Sequence, residues 1–294
     1  MVTGSPTFEN LYPFPSHHLR LGSLRYHYLD EGKGEPLLML HGNPTWSFYY
    51  RHLVLGLRDR YRCVVPDHMG CGYSGKPMKY EYTLSRHIKN LEILVDSLEL
   101  DRITLVMHDW GGAIGMGFAV KHPEKVSRLV VFNTAAFLSG KIPWSINICR
   151  KPLIGPIAIL GFNAFARGAL RRALKNRERL TPQVRRGYLE PYRSCRGRIG
   201  ILRFVQDIPM TPDVPSYPVV KSIEENLYRF KDHPMLIVWG KRDFCFNDYF
   251  LRRWREYFPG AAVREVEDAG HYVVEDAHER ILPWMREFFL ENPL

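Results

Sequence analysis

Short apolar runs alternate with helix-spaced segments along most of this chain, and the alternation limits the fold more than any other feature. Strand-like patterns occur at residues 24–29, 37–40, 63–65, 103–107, 129–132, 235–238 and 262–266. Helix-like patterns follow at residues 85–98, from residue 110 onward, and around 249–257 and 280–290. Strands that alternate with helices form a mostly parallel sheet covered on both faces. The sequence therefore predicts an α/β fold built on such a sheet.

The alternation stops between residues 136 and 225. This segment is rich in Arg, Pro, Gly and aromatic residues, and it shows helical patches with few strand signals. In open α/β sheets, ligands bind beyond the carboxyl ends of the strands. We therefore expect a core domain formed by residues 1–135 and 226–294. Residues 136–225 are expected to form a helical cap domain over that edge of the sheet.

The charge of the chain is concentrated in one part of this insertion. Between Arg167 and Arg203 there are twelve Lys and Arg against two Glu, which accounts for the whole net charge of +10. A basic face attracts nucleic acid, anionic lipid or an acidic partner. No nucleic-acid-binding motif accompanies it, so we expect no nucleic-acid partner. A solvated helical surface is the preferred interpretation, and docking of an acidic protein partner or a membrane surface is the alternative.

Cysteine usage and the N-terminal residues indicate the compartment. The five Cys are odd in number, scattered, and form no C-x-x-C pair, which argues against a disulfide framework or a zinc site. The first 18 residues show no apolar stretch after a basic start, and no run of 18 apolar residues follows. We expect a cytoplasmic protein with no secretory signal, no membrane span and no bound metal.

The sequence HDWGG at residues 108–112 lies between a predicted strand and a predicted helix. This is the context of a nucleophile elbow, in which a sharp turn lifts one side chain clear of the sheet. The lifted residue is Asp109, and Met107 stands where the usual motif has glycine. An ordinary helix-capping Asp is the alternative for this motif alone.

Two further residues complete a nucleophile, acid and base in chain order. Asp243 follows the strand-like run at 235–238 and lies 134 residues after Asp109. His271 follows the run at 262–266 and lies 28 residues after Asp243. Nucleophile elbows are followed along the chain by an acid and then a His. His271 is therefore a better candidate for the base than any of the other eleven histidines.

An Asp nucleophile limits the chemistry. A Ser that attacked a saturated carbon would form an ether, which water does not readily cleave. An Asp forms an ester, which is hydrolysed at the enzyme's own carboxyl carbon. Asp109 therefore predicts displacement at an alkyl carbon, with no metal or organic cofactor. His271 would activate water, and Asp243 would orient the imidazole and stabilise its charged form.

Donors for negative charge are expected at two positions. The backbone N–H groups of Trp110 and of Asn43, in the loop HGNP, are placed to stabilise an oxyanion. The side chains of the same two residues offer N–H donors beside Asp109, where they would hold a halide or another anionic leaving group. A plain tight turn for Asn43 and a core position for Trp110 are the alternatives.

At these residues the chain resembles α/β-hydrolases of the haloalkane dehalogenase family. The matches are HGNP (41–44), PDHMGCGYS (66–74), HDWGG (108–112), the post-strand acid Asp243 and AGHY (269–272). They spread over both halves of the predicted core. The resemblance implies Asp109 as nucleophile, His271 as base and Asp243 as acid. It also implies Asn43 and Trp110 as the halide-binding pair.

The position of the acid and residues 202–209 resemble one branch of that family more narrowly. This branch also contains the β-lactone decarboxylases of bacterial long-chain olefin biosynthesis, which share the triad and the Asn/Trp pair. Those enzymes split a four-membered lactone into an alkene and carbon dioxide. The resemblance implies an apolar alkyl substrate, either a haloalkane or a β-lactone, with a halide or carboxylate-type leaving group. The apolar residues 152–165 either line a channel for such a chain or form the cap's own core.

Two other functions stay open at the level of sequence. Epoxide hydrolases resemble this chain at the elbow and use two cap tyrosines to protonate the epoxide oxygen. Tyr188, Tyr192 and Tyr217 lie in the predicted cap, whereas Asn43 stands where those enzymes usually carry an aromatic residue. A non-catalytic binding protein on a hydrolase scaffold is the second alternative. Such a protein would usually have lost a triad residue, and all three are present here.

Overall fold

The computed structural model describes residues 7–294 of the chain. The expectation of no secretory signal rests partly on residues 1–6, which lie outside the described residues. The described residues form one sheet of eight strands. These are β1 (His17–Leu21), β2 (Leu24–Glu31), β3 (Pro36–Leu40), β4 (Arg62–Pro66), β5 (Ile103–Asp109), β6 (Val126–Thr134), β7 (Met235–Gly240) and β8 (Ala262–Val266).

The sheet is mostly parallel, with the strand order β1-β2-β4-β3-β5-β6-β7-β8. β2 pairs antiparallel with β1 and β4, and every other pair of neighbours is parallel. Every residue of the central strand β5 is buried, as is typical of a strand covered on both faces. The predicted α/β class and mostly parallel sheet are confirmed.

Helices connect the strands. They are α1 (Arg51–Leu57), α2 (Leu84–Ser97), α3 (Trp110–Lys121), α4 (Trp144–Cys149), α5 (Ile154–Pro156), α6 (Ala164–Arg172), α7 (Pro182–Leu189), α8 (Ile199–Gln206), α9 (Ser216–Asn226), α10 (Asp248–Tyr257) and α11 (Val273–Glu291). α5 continues into the π-helical turn Ile157–Gly161, and 3₁₀ turns occupy Glu9–Leu11, Ser47–Tyr50, Pro123–Lys125, Arg177–Arg179, Glu190–Tyr192, Arg196–Arg198 and Leu227–Phe230. No helix within residues 7–294 has the length and apolar character needed to cross a bilayer.

Two elements go beyond the sequence prediction. β1 has the sequence HHLRL and pairs with β2 at the edge of the sheet. Its polar residues and partial exposure hide the strand from a search for apolar runs. α11 begins with a turn at Val273 that is separated by a kink at Ala277 from the part predicted as a helix at 280–290. Its first turn contains Glu275 and Asp276, which are charged yet buried, so apolar spacing does not reveal it.

Residues 135–234, all of them described, contain α4 to α9 and no strand. The predicted division of the chain at 136–225 stays a prediction, and α9 at the end of that segment packs on α2 and α3. α7 is fixed to the rest of the molecule by two hydrogen bonds. The Tyr188 hydroxyl donates to Glu275 at 2.7 Å, and the Trp46 indole N–H donates to the Gly187 carbonyl at 3.1 Å. This helix is therefore anchored to the core.

Candidate active site

Asp109 ends β5, and α3 begins at the next residue, so its carboxylate stands at a turn between strand and helix. The backbone of Asp109 has a φ of +51°, a left-handed conformation that is uncommon outside glycine. The turn also requires small neighbours. A Cβ on Gly111 would lie 2.0 Å from the Leu40 carbonyl oxygen, and one on Gly112 would lie 2.0 Å from Thr134 Oγ1. This is the geometry of a nucleophile elbow, with the local strain that functional sites often hold.

The loop after β3 approaches the Asp109 side chain and fixes one of its oxygens. A Cβ on Gly42 would lie 2.1 Å from Asp109 Oδ1, so glycine is required there. Asn43 then donates its backbone N–H to Asp109 Oδ1 at 2.6 Å. The backbone N–H of Trp110 also favours the ionised form of this carboxylate and opposes the effect of burial on the pKa of Asp109. The structure thus places the Asn43 N–H on Asp109 Oδ1, and Trp110 follows Asp109 directly as the first residue of α3.

His271 and Asp243 lie beside Asp109, although they come from the loops after β8 and β7. His271 Nε2 is 3.6 Å from Asp109 Oδ2. His271 Nδ1 donates to Asp243 Oδ2 at 2.8 Å, since an ionised carboxylate only accepts. Asp243 Oδ1 accepts the backbone N–H of Cys245 at 2.6 Å. The fold therefore brings the three residues together, with Nε2 of the imidazole facing the Asp109 carboxylate.

Burial and neighbouring charges shift the pKa values of Asp109 and His271 in opposite directions. Burial raises the pKa of Asp109, against the opposing effect of His271 and of the N–H groups of Asn43 and Trp110. Burial disfavours the charged form of His271, but the carboxylates of Asp243 and Asp109 outweigh it and raise the pKa of the imidazole. Asp243, and to a smaller extent Asp109, thus stabilise the protonated imidazole.

A cavity of about 310 Å³ opens beside these groups. Its lining includes Asn43, Asp109, Trp110 and His271 together with apolar side chains such as Phe137, Ile146, Phe165, Val205 and Phe246. α8 contacts both predicted halide-binding residues. The Asn43 carboxamide donates one N–H to the Ile201 carbonyl at 3.2 Å, and the Trp110 ring lies 5.3 Å from that of Phe204. The site is an apolar cavity with polar groups gathered around one carboxylate, as ligand sites often are.

This chain matches known proteins over almost its whole length. A family model described as the alpha/beta hydrolase fold matches residues 35–277. The cis-3-alkyl-4-alkyloxetan-2-one decarboxylase of Shewanella oneidensis is 46% identical over 290 residues, covering 97% of this chain and 91% of that protein. Haloalkane dehalogenase 2 of Mycobacterium tuberculosis is 32% identical over 282 residues, covering 95% of this chain and 96% of that protein. The chain belongs to the haloalkane dehalogenase family of α/β-hydrolases.

A solved structure of the haloalkane dehalogenase family agrees with this assignment. The haloalkane dehalogenase DatA of Agrobacterium tumefaciens has a TM-score of 0.82 and 25% identity, covering 94% of this chain and 96% of that one. Within the family, the 46% identity to a β-lactone decarboxylase confirms the branch indicated by the sequence. The chain is therefore a dehalogenase-like enzyme with the α/β-hydrolase fold, as predicted.

The three tyrosines that would support an epoxide hydrolase do not line the cavity beside Asp109. None of Tyr188, Tyr192 and Tyr217, all three described, is among the residues lining the cavity. The Tyr188 hydroxyl donates to Glu275, and the Tyr192 hydroxyl donates to the Thr45 carbonyl at 3.1 Å. No cap tyrosine is thus placed to protonate an epoxide in the described structure.

The apolar segment 152–165 fits neither of its two interpretations well. Only Ala164 and Phe165 at its end line the cavity. Within 152–162 only Gly155 and Ile159 are buried, whereas Leu153 is 80% exposed. An apolar sequence pattern predicts burial, but here the tertiary structure leaves most of the segment at the surface.

His108 is a site residue that the sequence reasoning missed. It is fully buried, and its Nε2 donates to the His271 carbonyl at 2.8 Å, since a carbonyl only accepts. Its ring stacks on Tyr49 with centroids 4.4 Å apart, and burial lowers its pKa. A neutral His108 therefore holds the backbone of His271 in place. Its place immediately before Asp109 in HDWGG was the available signal.

Asp276 is a second missed residue. It joins the loop that carries His271 to residues 136–225, which we call the cap segment. Its carboxylate accepts the backbone N–H of Gly270 at 2.8 Å. It also accepts the backbone N–H groups of Lys175 at 3.0 Å and Asn176 at 2.8 Å. No sequence pattern marks this role, because all its partners are backbone groups and two of them lie about 100 residues away in the chain.

Proposed function

We propose that this chain is a β-lactone decarboxylase that converts cis-3,4-dialkyl oxetan-2-ones into an alkene and carbon dioxide. Relatives named as decarboxylases of this substrate class are 46% and 44% identical to it. The observation that carries the proposal is the Asp109 carboxylate, which lines an apolar cavity with Oδ1 held by a backbone N–H and Oδ2 beside His271. Such a carboxylate is a nucleophile for an apolar electrophile.

The first step opens the lactone ring. Asp109 Oδ2 attacks C4, the saturated ring carbon that bears the ring oxygen. A bond forms between Oδ2 and C4, the C4–oxygen bond breaks, and its electron pair leaves on the carboxylate attached to C3. The remaining N–H of the Asn43 carboxamide and the indole N–H of Trp110 stabilise this carboxylate. The product of the step is an ester of Asp109 that carries a free carboxylate on the adjacent carbon.

The second step releases both products and restores the enzyme. The bond between C3 and the carboxylate breaks, its electrons form the C3–C4 double bond, and the C4–oxygen bond to Asp109 breaks. Carbon dioxide and the alkene leave, and no water or proton is consumed. Inversion at C4 followed by antiperiplanar elimination leaves both alkyl groups on the same side of the double bond. Protonated His271, favoured by its raised pKa, stabilises the returning Asp109 carboxylate.

Hydrolytic dehalogenation is the second candidate, and the same triad geometry favours it. Asp109 would displace a halide held by Asn43 and Trp110, forming an alkyl ester. Esterification removes the negative charge of Asp109, which is one of the two charges that raise the pKa of His271. The imidazole would then deprotonate more readily and activate water against the ester. The oxygen of that water would end in the Asp109 side chain.

Product analysis tests the proposal. The purified protein is incubated separately with a cis-3,4-dialkyl β-lactone and with a 1-bromoalkane of matching length. We expect cis alkene and carbon dioxide from the lactone and much slower bromide release, with both reactions lost in Asp109→Ala. Bromide release without alkene would identify a dehalogenase instead. Undiminished alkene formation by Asp109→Ala would overturn covalent catalysis.

A further inference from the structure

Large apolar side chains are exposed in one short stretch of the cap segment. Of the eleven large hydrophobic residues exposed within residues 7–294, six lie between 144 and 162. We call these six the apolar cap face: Trp144, Ile148, Leu153, Ile154, Ile157 and Phe162. Leu153 is 80% exposed and Trp144 is 75% exposed. α4, α5 and the π-helical turn carry four of the six and pack on one another in sequence. A concentration of this kind marks an interaction surface.

The surroundings of the apolar cap face are cationic. The sequence contains no Asp or Glu between Glu124 and Glu178. Residues 136–177, which belong to the cap segment, contain eight basic residues: Lys141, Arg150, Lys151, Arg167, Arg171, Arg172, Lys175 and Arg177. Lys151 adjoins the face in the chain, and Arg172 donates to Ser145 Oγ on α4. The occupant must therefore tolerate apolar contact and offer negative charge over a broad area.

Helix α4 lies between the apolar cap face and the cavity beside Asp109. α4 exposes Trp144 and Ile148, whereas Ser145, Ile146 and Cys149 of that helix line the cavity. Lys141 and Arg172 also belong to the lining. A surface that covers the apolar cap face would thus lie directly against one wall of the cavity.

We propose that the apolar cap face docks this protein onto an anionic lipid bilayer. Its Trp, Phe, Leu and Ile side chains enter the boundary between headgroups and acyl chains, and the Lys and Arg around them meet lipid phosphates. A bilayer is uniform in charge and has no fixed shape. It therefore suits a face of short helices in a stretch of the chain, residues 125–177, that has many Lys and Arg and no Asp or Glu. The docking stands on this surface alone, while its benefit to turnover rests on the proposed function, since a dialkyl lactone partitions into lipid.

Vesicle binding by the full chain tests the docking. The probes are vesicles of equal parts phosphatidylglycerol and phosphatidylcholine, and vesicles of phosphatidylcholine alone. We expect binding to the anionic vesicles and weak binding to the neutral ones. The double variant Leu153→Ser, Phe162→Ser should weaken binding by about tenfold or more. Lys151→Glu should weaken it by roughly fivefold. The matched controls Leu290→Ser, at a residue that is 70% exposed, and Lys33→Glu should bind like the wild type.

Turnover in the same samples separates this proposal from the proposed function. Neither Leu153 nor Phe162 lines the cavity, so the double variant should keep wild-type turnover of a short, water-soluble β-lactone. It should lose turnover only of a long-chain lactone supplied in anionic vesicles. Vesicle binding without turnover of either lactone would support docking and overturn the proposed function.

Three results would overturn the docking itself. The first is failure of the wild type to bind anionic vesicles. The second is full binding by the double variant. The third is self-association that Leu153→Ser, Phe162→Ser dissolves while vesicle binding is absent, because a second copy of the chain would then cover the face.

Discussion

The two oxygens of Asp109 have different surroundings, and the difference assigns their roles. Oδ1 accepts the Asn43 N–H at 2.6 Å, whereas Oδ2 lies 3.6 Å from His271 Nε2. Oδ2 is therefore the oxygen free to bond to carbon. When water attacks the Asp109 ester, negative charge develops on Oδ1, and the N–H group already bound to Oδ1 stabilises that charge.

Heavy-oxygen water distinguishes the two reactions at this residue. We expect no ¹⁸O in the Asp109 peptide after repeated turnover of a β-lactone, because decarboxylation breaks the bond between C4 and oxygen without water. Repeated turnover of a bromoalkane should label the same peptide, since water attacks the carboxyl carbon. Mass spectrometry of the digested protein gives both results. Label from the lactone would mean that the ring-opened ester is hydrolysed instead.

His108 is expected to act on catalysis by positioning the base. His108→Phe keeps a ring on Tyr49 but leaves the buried His271 carbonyl without its donor, which should lower the free energy of unfolding by about 1–3 kcal/mol. The looser base should reduce kcat by roughly tenfold and change KM little. His87→Phe is the control, since neither ring nitrogen of His87 has a hydrogen-bond partner in the described structure. Equal losses in kcat for both variants would refute a positioning role.

The site residues that were predictable from sequence share a local signature. Asp109, Asp243 and His271 each follow a strand in a loop of small residues, and chain order completes the pattern. His108 and Asp276 each bind backbone groups of a distant segment. Such contacts appear only when the fold brings those segments together, so the sequence shows the position of His108 in HDWGG but not its role, and it does not mark Asp276.

At the scale of elements, the helices of the cap segment are held to the core unequally. α7 is anchored through Tyr188 to the buried pair of Glu275 and Arg51, whose side chains are joined at 2.6 Å. The end of α8 is anchored through Asp207, which accepts the Leu84 N–H at 2.9 Å and the Ser216 hydroxyl. These contacts fix two cap helices and leave α4 and α5 with the exposed face.

The Tyr188 anchor has a measurable effect on stability. Tyr188→Phe keeps the ring but removes a hydrogen bond to a buried carboxylate, so the free energy of unfolding should fall by about 1–3 kcal/mol. Tyr217→Phe is the matched control, because the Tyr217 hydroxyl makes no hydrogen bond within residues 7–294. We expect its effect to stay within about 0.5 kcal/mol in urea unfolding. Equal stability of Tyr188→Phe and wild type would contradict the anchor.

The Asp207 anchor predicts a pH dependence. Burial raises the pKa of Asp207 to about 6, so between about pH 4 and pH 6 the folded chain retains a proton that the unfolded chain releases. Stability from this group therefore falls as pH rises through that window. Relative to Asp207→Asn, the wild type should lose about 2 kcal/mol between pH 4 and pH 7. Parallel stability profiles of the two proteins in urea unfolding would exclude this contribution.

Strands and helices were predictable from the sequence wherever the spacing of apolar residues matches the residues that are buried. The runs at 37–40 and 103–107 form the inner strands β3 and β5, since both faces of these strands are covered. The start of α11 escaped prediction because the buried groups Glu275 and Asp276 are stabilised by partners far away in the chain. Burial of a charge depends on those partners, which the local pattern does not contain.

At the scale of the whole molecule, exposed apolar surface and positive charge both belong to the cap segment. The apolar run at 152–162 would be assigned to a core by its sequence, yet Leu153, Ile157 and Phe162 are each at least 60% exposed. Whether an apolar residue is buried depends on the arrangement of entire elements. The basic charge was visible from the sequence, and the exposed apolar face was not.

Amide hydrogen exchange should distinguish the exposed helices α4 and α5 from the buried helix α8. α4 has six residues and α5 has three, and both bury little, whereas most of α8 is buried. Peptides from residues 144–161 should therefore exchange faster than peptides from α8. Anionic vesicles should slow exchange in 144–161 and leave α8 unchanged. Similar protection of the two regions without vesicles would contradict this picture.

The Asp276 junction has a consequence for engineering. It connects the turn carrying His271 to the chain at 175 and 176 only through main-chain N–H groups. The junction therefore sets no requirement on the side chains at those two positions as long as the backbone follows the same path, although the Asn176 side chain separately caps the turn Arg177–Arg179. A chimera that receives residues 136–225 from a homologue should therefore keep the position of the His271 imidazole as long as the backbone at this junction is unchanged.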